Sequence, residues 1–525
     1  MPPAALEARR RAQIAVLREA PYDDRYAPRH ESREHDGDGF PPDASVAAER
    51  GTRERLASSG ADVGGADEVE TPPVDAHALG HFVPLDGARE PAMAHFYAAL
   101  EKLERRRADA AREPEPQVSP ADAAATLHDE GNDEASLEDA GANDGPDDGP
   151  MKVRIAFYGS SNTAADFLTG YLRSYLQARF GDGGHGYAAM APPWRTYRHL
   201  DVGYERRAQS KHWVTDHAQR AERLDDGLYG LMGASVRADT KGVKATAQLR
   251  NGSEASHIEL HYLVQPDGGR MSFHIDGKRA ARISTKGETL ATGVEVFDVE
   301  PGAHEMRVRL EGDGEVRLHG LVLENDADGV VLDTLGINGA RAANHLSWDE
   351  ESWADAIGRR DPDLYVLAYG GNEATDEDQP IEVYEAELRL VLERFARTLP
   401  ESSCLLMGPG DFPRPIVPEP PEGNGVGEDL EIGAVDPDDI EYGPRPRLQA
   451  IIETQARVAS DFGCAFWNPQ AFMGGPLSMN TWVQAEPQMG RPDHLHLSRL
   501  GYVRMAMSLT DAIMYGYDAP SDPVG

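Results

Sequence analysis

The run Val153-Arg-Ile-Ala-Phe-Tyr158 is nearly continuous in apolar residues and too short for a core helix, so it reads as a strand buried on both faces. Gly159-Ser-Ser-Asn-Thr-Ala-Ala-Asp166 follows as a strand-to-helix turn, with Thr163 and Asp166 spaced as in a capping box. Phe167, Leu168, Tyr171, Leu172, Tyr175, Leu176 and Phe180 then give one apolar helical face, which Gly181, Gly183 and Gly184 stop. The alternation returns late in the chain, with short buried strands at 330–334, 364–369, 404–407 and 465–467. Helical patterns lie between them at 381–399 and 448–462, and one at 500–515 closes the chain. Strands alternating with helices predict an α/β fold whose parallel sheet is covered on both faces.

A stretch of different texture separates the first strand–helix unit from the second strand. Ile258, Leu260, Tyr262 and Val264 alternate with polar residues, as do Met271, Phe273 and Ile275, and Met306, Val308 and Leu310. Asp-Gly pairs at 267–268, 276–277 and 313–314 punctuate them. Period-two strands with such turns predict an antiparallel β-sandwich over 197–324, inserted between the 151–196 and 325–525 parts of the α/β domain.

Residues 1–150 hold only six of the 37 aromatics and no Trp, and they are rich in Ala, Pro, Asp and Glu. That composition predicts a mostly disordered region, with one helix expected at 91–111 from the spacing of Met93, Phe96, Tyr97, Leu100 and Leu103. Residues 118–150 carry ten acidic residues and no basic one, the mark of a solvated linker. No export signal is visible, because the apolar segment after Arg9–Arg11 already ends at Arg18. The net charge of −38 argues against general binding to nucleic acid or anionic membranes, and no apolar run approaches the roughly 20 residues of a spanning helix. Two cysteines, Cys404 and Cys464, exclude a disulfide scaffold and are expected as buried thiols.

Chemistry-bearing residues cluster at the predicted strand ends. Ser161 lies where the first strand turns into a helix, the edge where open α/β sheets place their sites, beside N–H groups that stabilise negative charge. Asp493 and His496, in Pro492-Asp-His-Leu-His496, have the spacing of an orienting carboxylate and a general-base imidazole; His494 is an alternative imidazole at the wrong spacing. Asn372 ends a strand after two glycines and can donate to an oxyanion, as can the N–H of Gly339.

Together and in this order, these four elements resemble the SGNH, or GDSL-type, serine hydrolases over 151–190 and about 330–525. The resemblance implies a flavodoxin-like three-layer fold and ester hydrolysis without metal or cofactor. It implies Ser161 as nucleophile, His496 and Asp493 as base and orienting acid, and an oxyanion hole formed by the Ser161 and Gly339 N–H groups with Asn372. Two positions depart from the family pattern: Ser160 stands where an Asp is usual, and Glu373 replaces the Asp after the oxyanion Asn. Some bacterial SGNH esterases that remove O-acetyl groups from peptidoglycan or polysaccharide also carry a carbohydrate-binding-like β-domain. In that light Trp194 and Tyr197, with Tyr204 and Trp213, either stack on sugar rings or glue the insertion to its host. The long segments 411–439 and 472–482 are expected to shape the pocket.

Other signals fail when weighed. Gly181-Asp-Gly-Gly-His-Gly186 follows a helix and lacks the Lys-Ser/Thr of a phosphate loop. His257, His261 and His274 fall on alternating strands and are expected on a solvated face rather than around a metal. The reading that results is a serine esterase on acylated carbohydrate. An acyltransferase or lipid esterase on the same site, and a non-catalytic glycan-binding envelope protein, are the alternatives. An extracytoplasmic location is expected from the resemblance alone.

Overall fold

The computed structural model of the chain describes residues 74–76, 79–87, 91–112, 149–194, 196–205, 212–219, 224–416 and 440–518. The expected disorder of the first 73 residues and nearly all of the 118–150 linker lie outside the described residues. Among the described residues no helix is long and apolar enough to cross a membrane.

Five strands build a central sheet: β1 (Lys152–Gly159), β2 (Gly329–Gly336), β3 (Leu364–Ala368), β4 (Ser403–Met407) and β5 (Ala465–Trp467). They lie in the order β2-β1-β3-β4-β5 with every pair parallel, the flavodoxin-like arrangement. Alternation along each strand feeds two apolar layers. Val153, Ile155 and Phe157 of β1 face one layer, and Ala156 and Tyr158 face the other.

The first layer is covered by α1 (Ala94–Ala110), α3 (Phe167–Phe180) and α9 (Arg499–Asp518), with the shorter α7 (Pro469–Met473) and α8 (Ser478–Val483). The second is covered by α4 (Glu350–Arg360), α5 (Ile381–Thr398) and α6 (Pro446–Asp461). One further turn of helix, α2 (Ser161–Ala164), follows β1.

Three expectations change here. The Thr163/Asp166 capping box does not form: Asp166 takes a left-handed backbone (φ 55°) that separates α2 from α3, and its side chain turns inward. Cys404 and Cys464 are bonded rather than free. Each immediately precedes one of the paired residues Leu405 and Ala465, so the parallel register of β4 and β5 sets their Cα atoms 4.7 Å apart. Finally, the described part of 74–112 packs against the α/β unit. Phe96, Leu100 and Leu103 of α1 are fully buried in the first layer, and Asp86 exchanges backbone hydrogen bonds with Phe466 of β5.

Two antiparallel sheets lie between α3 and β2 in the chain. One runs Lys278–Ser284, Arg270–Ile275, Glu305–Leu310, Lys244–Leu249, Val202–Tyr204; the other runs Ala291–Gly302, Ala255–Val264, Val316–Glu324, Ala234–Ala238, Val214–His217. Gly184–Ala188 pairs with Val316–Glu324, so antiparallel structure begins before residue 197. One apolar cluster draws on both sheets, with Val202, Met271, Phe273, Met306 and Val308 from the first and Ile258, Leu260, Val316 and Leu318 from the second. The Asp276-Gly277 turn has positive φ at both residues (50° and 77°), the twist a tight hairpin needs. His261 is buried rather than solvated and bonds Glu259 at 2.7 Å. Among the described residues no group of His, Cys, Asp or Glu side chains is placed to hold a metal ion.

Candidate active site

Ser161 opens α2 directly beyond the carboxyl end of β1, beside the β1/β3 neighbours of the sheet. The turn that carries it is pinned from several sides. Ser160 O accepts the N–H groups of Thr163 and Ala164 at 3.1 and 3.0 Å, and Tyr502 of α9 donates to Asn162 Oδ1 at 2.9 Å. The buried Asp166 carboxylate anchors the end of the turn, accepting from Thr169, Thr334, Leu200 N–H and Arg173 at 2.8–3.1 Å. Burial opposes its ionisation, but the charge and hydrogen bonds of the Arg173 guanidinium, with His199 and His185 adding to them, hold it well below the usual carboxylate range. Because α2 is a single turn, the expected helix-end field at Ser161 reduces to its local N–H groups.

Across the cleft, Ser161 Oγ lies 3.5 Å from His496 Nε2, and His496 Nδ1 lies 2.8 Å from Asp493 Oδ2. The other oxygen, Asp493 Oδ1, accepts the N–H groups of Leu495 and His496 at 3.0 and 2.9 Å. Burial raises the Asp493 pKa, but the bonds from the His496 ring and the two N–H groups outweigh it and bring it to about 2. His494 points elsewhere: its ring stacks on Tyr442 at 3.8 Å, and Nδ1 meets Asn480 Oδ1 at 2.9 Å.

Asn372 lines the same cleft as Ser161 and His496, and its Nδ2 donates one hydrogen bond to Ala340 O at 2.8 Å. That bond ties it to the loop of Gly339, whose φ of 75° favours glycine. Glu373 shows what its departure from the family pattern does. Its buried carboxylate accepts Ala342 N–H at 2.8 Å and Gly370 N–H at 2.9 Å, clamping the Gly339 and Asn372 loops to each other. Burial raises its pKa, with those N–H groups acting in the opposite direction.

The aromatic candidates fare differently. Tyr197 is 1% exposed, its hydroxyl accepting Ala189 N–H and bonding His199, so no face is open to a sugar ring. Trp194 packs edge-on against Tyr197 and His217, and neither residue lines the cleft. They act as glue between the antiparallel strands and the α/β unit. Asp411 and Phe412 of the expected 411–439 segment and Met473 and Met479 of the expected 472–482 segment line the same cleft as Ser161, and so do Gly410 and Met505, which the sequence did not single out. The signal for Gly410 was the Gly408-Pro-Gly-Asp-Phe412 loop after β4, another carboxyl strand end. Residues 417–439 of the expected pocket loop lie outside the described residues.

Fold and cleft define an α/β protein with a hydroxyl, an imidazole and a carboxylate in series at the carboxyl edge of its sheet. Residues 311–504 match the GDSL-like Lipase/Acylhydrolase family, and the chain thus carries a GDSL-like domain and is a hydrolase of ester bonds. A solved peptidoglycan O-acetylesterase is 24% identical, covering 70% of this chain and 91% of its own with a TM-score of 0.54, which shows a shared fold. A family two carbohydrate esterase from Clostridium thermocellum (11% identity; 57% and 97% covered; TM-score 0.23) is more distant. So is an acetyl xylan esterase (15%; 35% and 81%; 0.24). Comparison with curated proteins gives no match.

Proposed function

We propose that the protein is a serine esterase that removes O-acetyl groups from a carbohydrate or cell-wall glycan. The observation that carries this is the Ser161–His496–Asp493 series in one cleft with Asn372. Ser161 passes its proton to His496 Nε2 while Asp493 holds the ring through Nδ1, and Oγ attacks the ester carbonyl. The N–H groups of Ser161 and Gly339 and the second Asn372 N–H stabilise the tetrahedral oxyanion, the first Asn372 N–H being engaged by Ala340 O. The leaving alcohol takes the proton from His496. Water, deprotonated by His496, then releases the carboxylic acid from the acyl-enzyme.

A cleft volume of about 60 Å³, room for a few waters, suits a two-carbon acyl group better than a fatty chain and favours this reading over a lipid esterase. We further read the two antiparallel sheets and their common apolar cluster as a β-sandwich inserted between β1–α3 and β2, a candidate glycan-contacting module.

Hydrolysis of a short-chain nitrophenyl ester and labelling by a fluorophosphonate test the proposal. Ser161→Ala is expected to abolish labelling and lower kcat on the order of 10⁴–10⁶-fold, and an unchanged rate would refute it.

A further inference from the structure

Three thioethers, Met473, Met479 and Met505, line the cleft of Ser161 together with Phe412, and all three methionines are at most 3% exposed. Met473 has a second face. A wider groove of about 330 Å³ is lined by Leu79, Pro476 and Leu477 together with the polar His81, Ser478 and Thr481, and among the described residues Met473 is the one that lines both spaces. Met473 therefore stands between the cleft at Ser161 and a groove of mixed polar and apolar lining.

Its position is fixed from several directions. The Asp411 N–H donates to Met473 Sδ at 3.2 Å, and Trp482 Nε1 donates to Met473 O at 3.0 Å. A Cβ on Gly410 would come within 3.0 Å of Sδ, so the glycine lets the β4 loop press directly on the thioether. The buried Asp411 carboxylate accepts Met479 N–H at 3.0 Å and Gln470 Nε2 at 3.1 Å, which fastens α7 and α8 to that same loop. A methionine that only filled a core gap would need neither the second space behind it nor this fastening.

We propose that Met473 is the specificity-determining residue that ends the acyl site, admitting acetyl and propionyl groups and excluding longer chains, and that truncating it joins the cleft to the groove. This rests on the esterase reading with Ser161 as nucleophile. An acyl chain attached at Ser161 Oγ points away from the leaving alcohol. Once it exceeds two or three carbons it must displace Met473 or stop.

The test is kcat/KM on nitrophenyl acetate, butyrate and octanoate for the wild type, Met473→Ala, Met473→Leu and Met473→Ala/Thr481→Trp. A methylene of misfit in an apolar pocket changes rates about 10–200-fold, so Met473→Ala should raise the octanoate-to-acetate ratio at least tenfold. Met473→Leu conserves volume and should leave the ratio unchanged, and the Trp, by refilling the groove, should reverse the gain. Met473→Val, a milder truncation, gives the same direction should the alanine variant not fold. A ratio unchanged in folded truncations, or a wild type as fast on octanoate as on acetate, overturns the proposal. Absence of hydrolysis and of fluorophosphonate labelling in the wild type would overturn the esterase reading beneath it.

Discussion

Asp493, Asn372 and Glu373 each do work at the cleft that a conservative substitution isolates. Asp493 is pulled down to about 2 by its bonds from His496 and two backbone N–H groups, against an ordinary value of 3.8. A depressed carboxylate contributes stability that is complete above its unfolded value and lost as pH falls through its folded one. Acid titration from pH 4 to 2 should therefore weaken the 490–497 loop in the wild type and less so in Asp493→Asn. The same substitution should lower kcat on the order of 10⁴-fold at neutral pH, as when an orienting carboxylate is made an amide in a serine triad. On the proposed mechanism Asn372→Ala removes one oxyanion donor and should cost about 10²–10³-fold in kcat with little change in thermal midpoint. Glu373→Ala strands the N–H groups of Ala342 and Gly370 and should destabilise by about 1–3 kcal/mol for each, read by denaturant unfolding. Ser161 and Asn372 were legible as candidates because each sits at a strand end, and Asp493 and His496 because of their spacing just before the last helix, all in one ordered series. Glu373 read only as a departure, since its role depends on two loops 31 residues apart meeting in space. Tyr197 misled because an aromatic at a junction has the same composition whether it faces sugar or core.

Elements were legible where periodicity is local. The five strands and the helices α3, α5, α6 and α9 fall within a few residues of where apolar spacing put them, as does α1 with its Phe96, Leu100 and Leu103 stripe. What spacing along the chain does not carry is docking. Nothing near α1 says that Phe96 N–H reaches Ser403 Oγ at 3.1 Å or that Arg106 pairs with Asp328 at 2.7 Å, both more than 200 residues away. The disulfide was hidden for the same reason: Cys404 and Cys464 are 60 residues apart and meet only because β4 and β5 pair in parallel. Closing a 60-residue loop stabilises by about 4 kcal/mol in the chain-entropy model. At roughly 2–4 °C per kcal/mol for a unit of this size, Cys464→Ser should lower the thermal midpoint by about 10 °C. The bond joins the amino ends of its strands, opposite the edge that carries Ser161, so kcat at 25 °C should be unchanged. Thiol titration of the unfolded protein without reductant should detect no free cysteine, and two thiols would refute the pairing.

At the scale of the whole molecule, charge decides which polymers can approach the cleft. The chain carries −38 in total; residues 1–150 contribute 16 basic and 33 acidic residues, and residues 151–525 contribute 36 and 57. The catalytic part is thus strongly anionic on its own. Near the Asn372 rim its guanidinium groups are already paired: Arg341 with Asp376 at 2.7 Å, Arg445 with Glu377 at 2.8 Å and Arg414 with Glu377 at 3.4 Å. Because Arg445 and Arg414 share Glu377, the three cations leave one positive charge over, small against the surplus of acidic residues in 151–525. A polyanionic acetylated glycan must therefore approach against repulsion reaching about 30 Å at 0.01 M salt and only about 8 Å at 0.15 M. Acetate release from an acetylated polyuronate should accelerate several-fold across that range, chiefly through kcat/KM. Release from a neutral acetylated glucan or xylan should stay nearly constant, because its encounter with the protein carries no net charge term. The nitrophenyl acetate rate measured in the same buffers separates this effect from any salt dependence of the chemical step. A polyuronate turned over fastest at the lowest salt would mean that a basic surface, rather than the acidity of the catalytic part, governs the encounter.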